Sequence, residues 1–253
     1  KAGRSDYPHE ILKNAGVDLT SPEPIIAVAE KMNRLMNEME DILKKITTQT
    51  TLDLKARKDK TSISDLKAMP FYDRKTVSFH TSLKNSSGII AEHKRRSPSK
   101  SVINQDLSIE DVARGYEDAG ISGMSVLTDG KYFGGSLDDL LYARAAVKMP
   151  LLRKEFIIDE YQLLEARAHG ADVILLIAAV LEREEIKRLS EFAKSIGLEV
   201  LLEVHNEEEL QKSIMPSLDM LGVNNRNLKT FEVSTDISKE LSEKIPDDFV
   251  KVS

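Results

Sequence analysis

The sequence contains no cysteine. That excludes disulfides, a thiolate nucleophile and thiolate-held zinc, and it fits a reducing compartment, with the cytoplasm as the expected location. Long apolar runs are missing as well. The longest, Val173 to Leu181 in ADVILLIAAVLE, falls far short of the roughly 20 residues a membrane-spanning helix needs, and reads as a core strand. The first ten residues, KAGRSDYPHE, show no initiating Met, no apolar signal core and no Arg-rich amphipathic pattern. No targeting segment is therefore expected, and the chain itself is expected to be incomplete.

There is no excess of positive charge either. Lys+Arg 36 against Asp+Glu 42 leaves a formal net charge of -6, so neither nucleic acid nor an anionic membrane is the expected partner. Any anionic ligand must then be held by a local basic site. The five histidines, His9, His80, His93, His169 and His205, show no i, i+4 helical pairing suited to a metal, and no metal is expected. His9-Glu10 matches the first half of a zinc-peptidase helix motif, but Lys13 stands where its second histidine belongs.

What the chain does have is length and apolar content. With 253 residues and 41% hydrophobic residues it can bury a substantial core in one large α/β domain or two small ones. From Ile89 onward, short β-branched or Leu-rich runs alternate with helical patterns, which argues for repeated βα units and a parallel sheet. Strands are expected at about 88–93, 122–127, 150–154, 172–177, 198–203, 219–223 and 248–252. Helices are expected near 108–119, 136–148, 160–169, 182–196, 206–214 and 235–244. Ser108 can cap the first of these, and Gly120, Gly170 and Gly197 end three of them. Residues 1–86 read as polar helical segments outside the repeated unit. Seven strands suggest a (β/α)₈ barrel without its last unit, although a doubly wound sheet would show similar alternation.

The polar residues fall at strand ends. In IIAEHK, Glu92 and Lys94 share one face and His93 takes the other, packing outward against a helical shell. Lys154 ends LLRK, Glu203 ends VLLE, and Asn224 followed by Arg226 ends LGVNNR. Catalytic groups gather at the C-terminal ends of barrel strands. A Lys or Glu at a strand end is more often a solvated rim residue, but two lysines near two carboxylates in a partly dehydrated mouth would shift one another's proton affinities, as acid and base chemistry at neutral pH requires. The stretch RRSPSK reads equally as a solvated charged loop or as an anion site, with the Ser97 hydroxyl and the loop amides as donors to phosphate.

The stretches IIAEHKRRSPSK, SVLTDGKYFGGSLDDL, LLRKEFIIDEYQ, GADVILLIAAVL, LLEVHNEEEL and GVNNRNLKTFEV occur in that order. Together they resemble the indole-3-glycerol phosphate synthases of tryptophan biosynthesis, over about 39–253. The resemblance implies a TIM barrel with an extra helical N-terminal segment. It also implies a carboxy-lyase that closes the indole ring of 1-(2-carboxyphenylamino)-1-deoxyribulose 5-phosphate, releasing CO₂ and water without metal or organic cofactor. By motif, Lys154 would be the general acid and Lys94 the contact to the substrate carboxylate. Glu92 and Glu203 would position the lysines and move protons, and Asn224 would orient the substrate. Arg226 would support the site electrostatically, Ser97 would bind phosphate, and Phe133, Phe156 and Leu175 would hold the anthranilate ring.

Three departures from the family pattern stand out. His93 occupies a usually aromatic position, Glu155 replaces the usual Asp after Lys154 and is expected to influence that lysine, and the matching sequence stops at Ser253, before an eighth βα unit. An open barrel would leave two edges for self-association, and the chain alone is expected to be weakly active or inactive. Residues about 5–43 resemble the C-terminal tail of oligoendopeptidase F-type metallopeptidases. The expected division is thus a helical extension at 1–38, fused from another frame, a helical synthase segment at 39–86, and an incomplete barrel at 87–253. A sugar-phosphate isomerase on a related barrel would explain phosphate binding but would not require two lysines beside an aromatic pocket.

Overall fold

A computed structural model describes residues 42–98, 100–104, 106–226 and 233–253. The extension at 1–38, the peptidase-like stretch up to residue 41, His9 and Lys13 lie outside them. Among the described residues, three helices precede the sheet: α1 (42–60), α2 (Ile63–Lys67) and α3 (Phe79–Asn85). The rest alternates as β1 (Ile90–His93), α4 (Ile109–Asp118), β2 (Gly123–Leu127), α5 (Gly130–Phe133), α6 (Leu137–Ala146), β3 (Leu151–Lys154), α7 (Glu160–Ala168), β4 (Val173–Ile177), α8 (Arg183–Ser195), β5 (Glu199–Val204), α9 (Glu207–Ser213), β6 (Met220–Val223), α10 (Asp236–Ser242) and β7 (Val250–Val252). The strands form one parallel sheet in the order β1 to β7. This is seven strands of a (β/α)₈-type barrel, as the alternation predicts.

The helix starts follow local chemistry. Ser108 accepts from the Asp111 amide and caps α4, and Ser136 accepts from the Asp139 amide and caps α6. Gly120, Gly170 and Gly197 all have positive φ beyond helix ends, the conformation that stops a helix most cheaply. The sequence gives no warning of α5. It is a single turn between glycines, held by the Asp129 side chain, which accepts from the amides of Tyr132 and Phe133 at 2.6 and 3.1 Å.

Period-2 alternation separates two cores. Ile90, Leu152, Val173, Leu175, Leu201, Met220, Val250 and Val252 share one inner cluster although they come from six strands, so the sheet is curled on itself. The opposite faces of the strands, including Val126, Leu151, Ile174, Leu202 and Val223, pack against the helical layer. Phe79 closes the N-terminal end of the inner cluster and is fully buried. Its ring lies so close to Gly123 that a Cβ there would fall 1.7 Å from Phe79 Cε2. Glu199, at the start of β5, holds α3 in place by accepting from Ser78 Oγ and from the amides of Phe79 and His80 at 2.6, 2.9 and 2.9 Å.

Residues 42–86 lie outside the sheet and are docked on it. Leu54 and Leu66 pack with Tyr161, Leu164 and Ala168 of α7. Arg57 pairs with Glu165 at 2.7 Å, Lys58 with Asp159 at 2.7 Å, and Tyr161 Oη donates to the Thr61 carbonyl at 2.7 Å. A second tie forms at the start of β4, where the fully buried Asp172 accepts from Arg74, Arg144 and the amides of Val77 and Leu151. No helix among the described residues is long and apolar enough to cross a membrane.

Phe79→Ala should destabilise the fold by about 3–5 kcal/mol, since it removes a buried aromatic ring from under the sheet. Urea unfolding measures this, and a loss below about 1 kcal/mol would show that the end of the barrel is closed by something else.

Candidate active site

The inward parity of the strands brings together residues from β1, β2, β3, β5 and the end of β6. Glu92 lies opposite Ser125 in the β1–β2 register, and Lys154 opposite Leu127 in the β2–β3 register. Lys154 Nζ stands 3.4 Å from Glu92 Oε2 and 3.7 Å from Glu203 Oε2, so one ammonium bridges two carboxylates from non-adjacent strands. Lys94 Nζ folds back to Glu92 Oε1 at 2.7 Å. Ser125 Oγ donates to Glu92 Oε2 at 3.2 Å, and Asn224 Nδ2 donates to Glu203 Oε1 at 3.0 Å.

Burial and charge compete at these groups. Burial alone would lower the Lys154 amine, but the Glu203 and Glu92 carboxylates outweigh it and hold the amine above its usual 10.5. Burial alone would raise Glu92, but Lys154, Lys94 and the Ser125 hydroxyl hold its carboxyl below the usual 4.5. At neutral pH both groups are therefore charged, with a proton donor beside an anionic acceptor.

Phe133 of α5 and Phe156, just beyond β3, form an aromatic wall with ring centroids 6.3 Å apart and planes tilted by 30°. Phe156 also packs on the inner cluster, to which Leu175 belongs. The apolar wall and the charged cluster thus share the C-terminal end of one interior.

The remaining sequence-expected residues are placed differently. Arg226 has an exposed side chain, while its backbone amide donates to Asn224 Oδ1 at 3.0 Å, fixing the amide that meets Glu203. The Ser97 amide is not available as a phosphate donor, because the tight turn uses it: Ser97 N donates to the Lys100 carbonyl at 2.8 Å, and Lys100 N donates back at 3.0 Å. The arginine pair is engaged within the fold. Arg95 makes a bidentate pair with Asp139 at 2.6 and 2.8 Å, and Arg96 donates to the Gly130 carbonyl, so both dock the β1 loop onto the β2 loop and α6. His93 is buried on the outer face, as its parity requires. Burial and the nearby Arg95 guanidinium lower its imidazole.

Glu155 does not enter the mouth. It is buried in the outer layer, where it accepts from Thr128 Oγ1 at 2.7 Å and from the Phe156 amide at 3.0 Å. Burial raises its carboxyl, with Arg153 and Thr128 opposing. Arg153 continues this network to Thr128, the Gln162 carbonyl and Glu165, which also pairs with Arg57 of α1.

Sequence reasoning missed two mouth residues. Ser125 is a hydroxyl on the inward parity of an apolar strand, a readable signal. His205 follows Glu203 at the same parity, with Nε2 at 3.5 Å from Glu203 Oε1. The signal that could have found it is strand parity carried two residues past Glu203. Among the described residues, no group of three or more His, Asp or Glu is arranged to hold a metal ion.

A parallel barrel whose C-terminal mouth holds ion-paired lysines and carboxylates beside an aromatic wall has the form of a barrel-class enzyme. The family model described as indole-3-glycerol phosphate synthase matches residues 43–253. An indole-3-glycerol phosphate synthase of Bacteroides thetaiotaomicron is 46% identical over 85% of this chain and 83% of its own length. Those of Neisseria meningitidis, 46% identical over 78% of each chain, and Campylobacter jejuni, 42% identical over 81% of each chain, agree. The chain belongs to the indole-3-glycerol phosphate synthase family.

The charge balance at Glu92 is directly measurable. Its carboxyl should titrate below 4.5 in a ¹³C NMR titration and move upward in Lys154→Met, because burial would then meet less opposition. An unmoved midpoint would mean that Lys154 does not sit against Glu92 in solution.

Proposed function

We propose that this chain closes the pyrrole ring of 1-(2-carboxyphenylamino)-1-deoxyribulose 5-phosphate to form indole-3-glycerol phosphate, releasing CO₂ and water. The observation that carries the reading is the single ammonium of Lys154, held charged between Glu92 and Glu203 beside an aromatic wall. Lys154 protonates the substrate carbonyl as the aryl carbon attacks it. The ring carboxylate is met by Lys94, which exchanges its partner Glu92 for the substrate anion. Loss of CO₂ restores aromaticity in the benzene ring, and Glu203 and Glu92 take up and return the protons that dehydration requires. Asn224 orients the substrate and Arg226 adds positive potential, while the Ser97 hydroxyl contributes to phosphate binding. Phe133, Phe156 and Leu175 hold the anthranilate ring and keep water from the reacting carbon.

No metal or organic cofactor enters this scheme. The partner is a small phosphorylated molecule, and the place of work is the cytoplasm. The division at 1–38, 39–86 and 87–253 remains our proposal for the organisation of the chain. Among the described residues β1 and β7 each pair on one side only, and such edges offer a route to self-association, which sedimentation velocity would detect. A catalytically impaired fragment is the second reading, favoured by those same two edges.

The deciding assay is fluorescence-detected formation of indole-3-glycerol phosphate, run on the chain as it stands and on one extended through an eighth βα unit. Lys154→Ala should lower kcat by about 10²–10⁴-fold or more in whichever form turns over. Silence in the first and activity in the second would select the impaired fragment, and silence in both would remove the synthase assignment.

A further inference from the structure

His205 faces a carboxylate at each ring nitrogen, hydrogen-bonded at Nδ1 and within ion-pair range at Nε2. Nδ1 lies 3.1 Å from Glu209 Oε2, and Nε2 lies 3.5 Å from Glu203 Oε1. Glu209 is itself fixed: its Oε2 also accepts from the His205 backbone amide at 2.8 Å, and its Oε1 accepts from Asn206 Nδ2 at 3.1 Å. The groups facing the ring are Glu203 of β5, itself in contact with Lys154 of β3 and Asn224 beyond β6, and Glu209 of α9. Lys212 of α9 acts on Glu209 at longer range. The His205 side chain is only 9% exposed, so water does little to screen these contacts.

The protonation logic is restrictive. An ionised carboxylate only accepts, so Nδ1 must carry a proton to bond Glu209. A neutral imidazole in that tautomer would turn the bare lone pair of Nε2 toward Glu203, also an acceptor when ionised. The contact is favourable only with one further proton, either on Nε2 or on Glu203. Burial alone would raise the Glu209 carboxyl, but donation from His205 holds it below its usual value, so Glu209 stays an acceptor.

We propose that His205, anchored by Glu209, is a positioning residue that holds this shared proton at the Glu203 carboxylate. It thereby sets the pH range over which Glu203 can accept a proton in the reaction. In the transfer itself, a proton passes from substrate to Glu203 Oε2, the oxygen on the Lys154 side, while the shared proton lies on Nε2 beside Oε1, and no bond other than N–H, O–H or the substrate's bond to that proton changes. The role in turnover rests on the synthase reading; the shared proton does not.

The first test needs no substrate. Side-chain ¹⁵N NMR of the full chain, with the His205 signals assigned by their loss in His205→Gln, follows the ring as pH changes. The Nε2 signal should move toward that of an unprotonated ring nitrogen in Glu203→Gln, and the Nδ1 signal likewise in Glu209→Gln, because each removes an anion that favours a proton on that nitrogen. An Nε2 signal unmoved by Glu203→Gln would overturn the proposal even in a fully active synthase, whereas a moved signal in a chain without synthase activity would sustain the shared proton. In the form that turns over, His205→Gln should remove a limb of the kcat–pH profile between about pH 5 and 8 and lower kcat about tenfold, leaving KM nearly unchanged. A variant that keeps the wild-type profile would confine His205 to a packing role.

Discussion

The pleat of a curled parallel sheet is the constraint on which the rest depends. Because side chains two residues apart share a face, each strand that contributes apolar bulk to the interior can end with a polar group aimed into the same space. Ile90 leads to Glu92, Leu152 to Lys154 and Leu201 to Glu203. The register then fixes which groups meet. A one-residue slip in β3 would bury Lys154 among the helices and turn Arg153 into the mouth.

The outer face of β3 guards against that slip. Arg153, which is almost fully buried, is bonded to Thr128, to the Gln162 carbonyl and to Glu165, and Glu165 is shared with Arg57 from α1. Leaving any of these charges without its partner would cost several kcal/mol. The helical segment before the barrel is thus linked through charged contacts to the strand that carries Lys154, and Glu155 completes the network next to that lysine. The extra methylene of Glu155 is accommodated in the helical layer and does not reach the mouth.

The strands, the long helices and the charged strand ends were legible because each depends on short-range periodicity. Glu92, Lys154, Glu203 and Asn224 could be placed in one mouth from parity alone. Partner choice was not legible, because it depends on distances across the sheet. Arg95 is an exposed basic residue on the page and a bidentate partner of Asp139 in the fold, 44 positions along the chain. The Ser97 amide looked available until the turn closed on Lys100. His205 was visible as a residue but not as a link, because Glu209 reaches it only when the first turn of α9 forms. A four-residue helix between glycines offers too little pattern for any periodicity to register, so α5 was missed although it carries Phe133.

The mouth is nearly balanced before substrate arrives: Lys94 and Lys154 face Glu92 and Glu203. A substrate bearing a carboxylate and a phosphate adds negative charge, so it cannot simply occupy the space between these groups. Lys94 is the cation able to change partners, because among the described residues of the mouth it pairs with Glu92, and it stands at the end of β1 on the loop side. Lys154 is held from two sides and stays in place. On the proposed scheme, turning Lys94 toward the substrate would leave Glu92 with Lys154 and Ser125 as its side-chain partners among the described residues, which would make Glu92 more basic while the substrate is bound. Through that single exchange, binding of an anion would make a carboxylate beside it a better proton acceptor, and the resting ion pairs would keep the same carboxylate unreactive until then.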